Sequence, residues 1–293
     1  MPEVDVAKLR SEYHGPHELL KTSDGKTLFI RAWKAKGEAR ASVLIFHGIT
    51  GYSGPYGPLV AEHLAASGFD VFALDLRGHG LSDGRRGDYP SRERFVKDLN
   101  ETIALVRTKS RKLVFLGHSL GALAAIAAVN SSPESVDGLV LLSVARRIKT
   151  GVYPKPKTGA LLKMLFGVAI FRGTPVIEYR RQGQLGLDDP LFVFKYSARF
   201  YTVLYGVGAL AVTRMLRSGL VDSPNLKFNQ KLAVPLILGV GDQDELFAPE
   251  GVKAFLDEID CDDKRYFVAP GAHHAMWPGD SWGPLDEWLG EKF

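Results

Sequence analysis

Apolar positions in the first half of the chain change their period at regular intervals. Residues 42–47 (SVLIFH), 69–74, 112–116 and 138–142 are short, nearly unbroken apolar runs, the pattern of strands buried on both faces. Between them, residues 59–66, 95–108 and 120–129 repeat apolar positions at helical spacing, the last segment rich in alanine. A further strand is predicted over 28–33, entered through the turn residues Asp24 and Gly25. Strands alternating with helices at this spacing predict right-handed βαβ units and a mostly parallel sheet flanked by helices.

The rhythm stops after Leu142. Residues 145–226 hold glycines, prolines, aromatics and helix-like apolar pieces without the alternation. It resumes with a strand over 235–238, a helix over 249–258, a strand over 265–268 and a helix over 284–289. The pattern predicts an α/β core built from residues 1–144 and 227–293, with residues 145–226 lying over it as a helical cap.

Composition narrows the class. At 293 residues, 45% apolar and 24% charged, the chain suits one large α/β domain and excludes wholesale disorder. The single cysteine, Cys261, excludes an internal disulfide framework and a cysteine-rich zinc site. No apolar run reaches the roughly eighteen residues of a membrane span, and the N-terminus lacks a secretory apolar stretch, so the expected location is cytoplasmic. The net charge of +4 is uneven: residues 145–226 carry thirteen Arg and Lys against four Asp and Glu, leaving the rest of the chain at −5. A basic, apolar insertion predicts an acyl-binding tunnel lined by segments such as 161–170 (including Leu165) and 203–212. It also predicts peripheral contact with an anionic membrane surface, weighed equally with pairing against the acidic core.

Chemistry on a buried parallel sheet is sought at the carboxyl ends of its strands. The pattern G-x-S-x-G occurs around Ser82, Ser119 and Ser281. A nucleophile elbow needs a strand before the serine and a helix directly after it, and only Ser119 has both, with KLVFL before and ALAAIAAV after. Ser82 precedes a loop, and Ser281 stands where a helix N-cap is expected. Serine needs a base, and the base an orienting carboxylate, in the chain order serine, acid, histidine. Only His273 and His274 follow Ser119, both after the strand at 265–268; the acids after the strand at 235–238 are Asp242 and Asp244.

Other signals carry less. Gly78-His79-Gly80 lacks the helix that a dinucleotide loop must open, and there is no P-loop. The histidines show no metal-ligand spacing, so neither metal nor cofactor is expected. His79 and His118 read as structural hydrogen-bonding groups. The arginine pairs at 85–86 and 146–147 read as solvated surface, with no nucleic-acid motif beside them.

With HGIT at 47–50, LDLRGHGLSDG at 74–84, GHSLG at 117–121, GDQDELF at 241–247 and GAHH at 271–274, the chain resembles the α/β-hydrolase superfamily. Within it the resemblance is to monoacylglycerol lipase-like and lysophospholipase-like serine hydrolases, and it covers most of the core but least of the insertion. It implies the α/β-hydrolase fold with a helical cap. It also implies a triad of Ser119, Asp244 and His274, because the family's acid stands in G-x-x-D before an apolar pair and its histidine in G-x-x-H. The oxyanion hole is then expected from the backbone N–H groups of Ile49 and Leu120. The implied activity is hydrolysis of a carboxylic ester with an apolar acyl chain, such as a monoacylglycerol or lysophospholipid, through an acyl-enzyme. The chain departs from mammalian-type relatives in the loop after His47-Gly48, where Gly51 and Pro55 replace an acid and an arginine. That points to a broader esterase. A proline-iminopeptidase-like hydrolase would need cap carboxylates to hold an ammonium, and the +9 insertion has the wrong sign. A non-enzymatic binding protein on the same fold would not need a complete triad.

Overall fold

In the computed structural model, which describes residues 4–146, 148–149, 152, 173–179, 185–208, 211 and 226–293, ten strands are defined among those residues. They are β1 (His17–Lys21), β2 (Thr27–Trp33), β3 (Ala41–Phe46), β4 (Phe69–Leu74), β5 (Leu113–His118), β6 (Gly138–Leu142), β7 (Pro175–Glu178), β8 (Lys195–Ser197), β9 (Leu236–Gly241) and β10 (Lys264–Ala269). Eight of them form one sheet in the order β1-β2-β4-β3-β5-β6-β9-β10. The pairs β1–β2 and β2–β4 are antiparallel and all others parallel, so β2 alone runs against the rest.

The apolar runs form strands because both faces of the sheet are covered. Every residue of β3, β5, β6 and β9 is buried. Alternate residues serve opposite cores. Leu44, Phe46, Leu113 and Phe115 meet the face carrying helices α3 (Arg92–Arg107), α4 (Gly121–Ser131) and α6 (Pro249–Glu258). Val43, Ile45, Val114 and Leu116 meet the face carrying α2 (Glu62–Ala66) and α7 (Gly283–Lys292). A truncation such as Phe115→Ala would cost about 3–5 kcal/mol.

Helix α3 begins where the Ser91 side chain accepts the Arg94 N–H, and buries Phe95, Leu99, Ile103 and Val106. Asp98 shares that face because Arg77, Arg94 and the Tyr89 hydroxyl surround its carboxylate at 2.7–2.8 Å. Helix α4 is buried from Gly121 to Val129, and its small side chains let it lie close on β5 and β3. The helix expected over 59–66 enters through a π-helical turn, Gly57–Ala61.

Two edge elements escape the apolar pattern: helix α1 (Val6–Ser11), with no buried residue, and β1, whose partly exposed positions are mixed with polar ones. The insertion adds something to the helical reading. Its described residues hold helix α5 (Ala198–Tyr205) and also a two-stranded antiparallel sheet of β7 and β8. The segment 161–170, with Leu165, lies outside the described residues, as does part of 203–212. Within the latter, Val203, Leu204 and Tyr205 are buried in the core, while Gly206 and Gly208 are exposed.

The insertion's charge is partly used against the core. Arg199 pairs with buried Asp88, Arg146 with Glu258, and the Lys149 ammonium donates to the Asp244 carbonyl at 2.5 Å. The Arg146 pair is an exposed one, in keeping with the surface expectation, and Arg147 lies outside the described residues. Arg86 corrects that expectation: it donates to the carbonyls of Gly80, Pro190 and Leu191, tying a core loop to the insertion.

Candidate active site

The five expected site residues follow the carboxyl ends of four parallel strands. Ser119 and Leu120 follow β5, Ile49 follows β3, Asp244 follows β9 and His274 follows β10. Ser119 occupies the left-handed region with φ +54°, and its N–H is held by the Leu142 carbonyl at 2.8 Å. The sequence allows this strain by placing glycine on either side. A Cβ at Gly117 would stand 2.7 Å from Ala122 Cα, and one at Gly121 would stand 2.0 Å from the Phe46 carbonyl oxygen.

Asp244 is fully buried and its Oδ2 lies 3.0 Å from His274 Nδ1. Its Oδ1 accepts the Leu246 and Phe247 N–H groups at 2.8 and 2.9 Å. Burial alone would raise this carboxyl, but the His274 imidazole and the Phe247 N–H outweigh it and hold the pKa at about 2. Asp244 is therefore ionised at neutral pH and keeps the His274 proton on Nδ1, leaving Nε2 as the basic nitrogen. Ser119 and His274 line one cavity of about 260 Å³. Among the described residues no hydrogen bond joins Ser119 Oγ to His274 Nε2, whose ring is held from the other side by Asp244.

The residues set aside at sequence level have other partners. Asp242 Oδ1 accepts the Gly271 N–H at 2.8 Å, closing the loop, and His273 is half exposed. Ser82 is buried, donates to the Asp75 carbonyl and accepts the Phe29 N–H at 2.8 Å. Ser281 does not cap a helix: it lies inside the 3-10 turn Gly279–Trp282, and its hydroxyl donates to the Pro270 carbonyl.

The loop after β3 is held peptide by peptide. Gly48 N–H donates to the Tyr56 hydroxyl at 2.8 Å, and the Gly48 carbonyl faces His47 Nδ1 at 2.8 Å. In a trans peptide the next N–H points the opposite way, so Ile49 N–H turns from His47. Among the described residues neither Ile49 N–H nor Leu120 N–H meets a protein acceptor. The Tyr56 hydroxyl lies 2.7 Å from His118 Nδ1, and His118 Nε2 lies 2.8 Å from the His274 carbonyl. Since that carbonyl can only accept, Nε2 carries the proton and Nδ1 accepts from Tyr56. Burial first, and the neighbouring His274 second, lower His118 to about 3, so it stays neutral. Tyr56 thus joins the β3 loop to the histidine loop through His118. Nothing in the spacing announces it, because residues 56, 118 and 274 meet only in the folded chain.

The cavity opens into a wider bay of about 730 Å³, with Pro55, Leu59, Leu185, Phe192, Ala275 and Met276 lining both. Leu185 and Met276 are exposed at its rim. Gly51 and Pro55 line the cavity without supplying a charge. Among the described residues no cluster of metal-ligating side chains is present, and no helix is long and apolar enough to cross a membrane.

Comparison with known proteins agrees with this architecture. A family model described as serine aminopeptidase, S33, matches residues 37–281. The chain is 28% identical to a monoglyceride lipase of Rattus norvegicus, over 94% of this chain and 89% of the relative. It is 29% identical to a monoacylglycerol lipase of Mycolicibacterium smegmatis, over 86% and 88% of the two chains. Among solved structures, a soluble variant of monoglyceride lipase from Saccharomyces cerevisiae, in complex with a substrate analogue, superposes with a TM-score of 0.69. It does so at 18% identity, over 95% of this chain and 94% of that one. With its elbow, its strand order and this match over most of its length, the chain is a hydrolase and belongs to the serine aminopeptidase S33 family of α/β-hydrolases.

Proposed function

We propose that the protein hydrolyses carboxylic esters with an apolar acyl chain through a covalent acyl-enzyme on Ser119. The observation that carries this reading is the 3.0 Å contact of buried Asp244 Oδ2 with Nδ1 of His274, which lines one cavity with the strained Ser119. His274 Nε2 takes the Ser119 Oγ proton as Oγ attacks the ester carbonyl carbon. The carbonyl oxygen, now negative, is received by the N–H groups of Ile49 and Leu120. Collapse expels the alcohol, which takes its proton from His274. Water then attacks the acyl-enzyme with His274 again as base, and the carboxylic acid leaves with Ser119 restored. No step needs a metal or cofactor.

The apolar bay supports an acyl substituent, and the lipase names of the relatives support a monoacylglycerol-like ester. Gly51 and Pro55 bring no charge to the head group, which favours broad alcohol tolerance. Among the insertion's described basic residues Arg146, Lys149 and Arg199 are engaged with the core, which leaves Lys195, exposed on β8, for contact with an anionic lipid surface. Salt-sensitive sedimentation with anionic but not zwitterionic vesicles would support that contact.

The test is a fluorophosphonate probe followed by peptide mapping, with hydrolysis rates over monoacylglycerols, p-nitrophenyl esters of increasing chain length and aminoacyl arylamides. Labelling at Ser119 and a preference for esters are expected. Failure to label Ser119 in the folded protein would reopen the binding-protein reading. Faster cleavage of the arylamides would favour an aminopeptidase.

A further inference from the structure

Thr50 has φ +67°, a left-handed conformation that a β-branched residue adopts only when its surroundings impose it. The core does not supply that restraint alone. Thr50 N–H donates to the Tyr196 hydroxyl at 2.8 Å, and the Thr50 carbonyl accepts the Val193 N–H at 2.9 Å. Both partners belong to the insertion, 146 residues from Thr50 in the case of Tyr196. The Tyr196 hydroxyl is itself oriented: it lies 3.2 Å from His79 Nε2, while His79 Nδ1 faces the Arg77 carbonyl at 3.2 Å. Nδ1 therefore carries the proton, Nε2 accepts from Tyr196, and the phenol oxygen is left to accept from Thr50.

Tyr196 cannot shift easily. It is fully buried, its ring centroid lies 4.6 Å from that of Phe200 and 5.7 Å from that of His79, and it stands in β8. Residues around it are stapled to the core: Ser197 N–H to the Gly87 carbonyl at 2.9 Å, Ser197 Oγ to Asp88 at 2.5 Å, and Arg86 to the Pro190 and Leu191 carbonyls. The Ile49 N–H is thus bracketed, with Tyr56 holding the peptide before it and Tyr196 the peptide after it.

We propose that Tyr196 is a positioning residue for catalysis, whose hydroxyl holds the Thr50 peptide in its left-handed turn and so aims the Ile49 N–H at the developing oxyanion. The insertion then completes the oxyanion hole as well as covering it. This inference rests on the serine-hydrolase reading above. It differs from a packing role in a way that can be measured, because an oxyanion donor acts on the transition state and not on bound substrate.

The test compares wild type with Tyr196→Phe, which keeps the ring and removes the hydroxyl. Readouts are kcat, KM, the melting midpoint and the inhibition constant of an alkyl trifluoromethyl ketone, which forms a tetrahedral oxyanion on the serine. The same ester is also compared with its thiono analogue, whose sulfur is a poor hydrogen-bond acceptor and gains little from the hole. Complete loss of one oxyanion donor costs about 10²–10³ in kcat, so a misaimed donor should cost about tenfold or more. KM should stay within about twofold, ketone affinity should fall with kcat, and the oxo-to-thiono rate ratio should shrink by a similar factor. Glycine takes φ +67° unaided, so adding Tyr196→Phe to Thr50→Gly should cost less than about threefold. That pair also serves if the single variant does not fold. Equal losses on oxo and thiono esters, unchanged rates, or an undiminished loss in the Thr50→Gly background would overturn the proposal. Failure of the fluorophosphonate to label wild-type Ser119 would overturn the parent reading, and this one with it.

Discussion

Asp244 divides its carboxylate between two tasks: Oδ2 meets His274 Nδ1 at 3.0 Å, and Oδ1 accepts the Leu246 and Phe247 N–H groups. The second task fixes the first, since the backbone donors hold the carboxylate plane against the imidazole. Asp244→Asn should therefore lower kcat by about 10⁴, through the wrong imidazole tautomer, with little change in KM. Asp242→Asn, at a carboxylate that accepts the Gly271 N–H, should lose less than about tenfold. Equal losses in steady-state kinetics would overturn the assignment of the acid.

Ser119→Ala and His274→Ala should each lower kcat by about 10⁴–10⁶, and the double variant should be scarcely worse, because the two groups act as one unit. Ser82→Ala should behave in the opposite way. It leaves the buried Phe29 N–H without its acceptor, which should cost about 1–3 kcal/mol in urea unfolding while kcat stays near wild type. Inactivation by the Ser82 change with Ser119→Ala still active would refute the elbow assignment.

Three buried histidines give the protein an acid-sensitive stability. For His79 burial first, then the neighbouring His47 and Arg86, push the pKa well below the ordinary value. Burial lowers His47 to about 4, and burial with the neighbouring His274 lowers His118 to about 3, from an ordinary 6.5. Between pH 6.5 and 4 the unfolded chain binds these protons and the folded chain does not. Stability should therefore fall as pH drops through that window, by up to about 1.4 kcal/mol per pH unit for each histidine. Asp244, held at about 2, would add its own loss only below its ordinary 3.8. Urea unfolding at pH 7, 6 and 5 checks the slope, and His118→Gln should remove about one proton's share of it. An unchanged slope in that variant would contradict the neutral, buried His118.

Leu185 and Met276 stand exposed at the rim where the cavity meets the wider bay. If the acyl chain runs through that bay, Leu185→Trp and Met276→Trp should slow long-chain p-nitrophenyl esters several-fold more than the acetate. A uniform effect across the series would place the acyl chain elsewhere.

The alternation of strands and helices was legible from the residues alone, because burial on both sheet faces and on one helix face imprints a local period on them. Residues 249–258, framed by Pro249, read as a helix with the ends it has. The elbow at Ser119 was legible for the same reason: strand, tight turn and small-residue helix are consecutive in the chain. Pattern weakens where burial weakens, so α1 and the edge strand β1, with few buried positions, left no period to read. The pairing of β7 with β8 needs segments far apart in sequence to meet, and its short strands carry no strong signal. The choice between Asp242 and Asp244 came from family spacing, and only the folded loops show one carboxylate turned to His274 and the other to Gly271. Tyr56 and Tyr196 lie further still from prediction. A tyrosine hydroxyl has no periodicity, and its use depends on which backbone N–H the fold brings within 2.8 Å of it. Local periodicity sets where chain segments run, whereas long-range packing sets which polar groups meet, and the aim of Ile49 N–H belongs to the second.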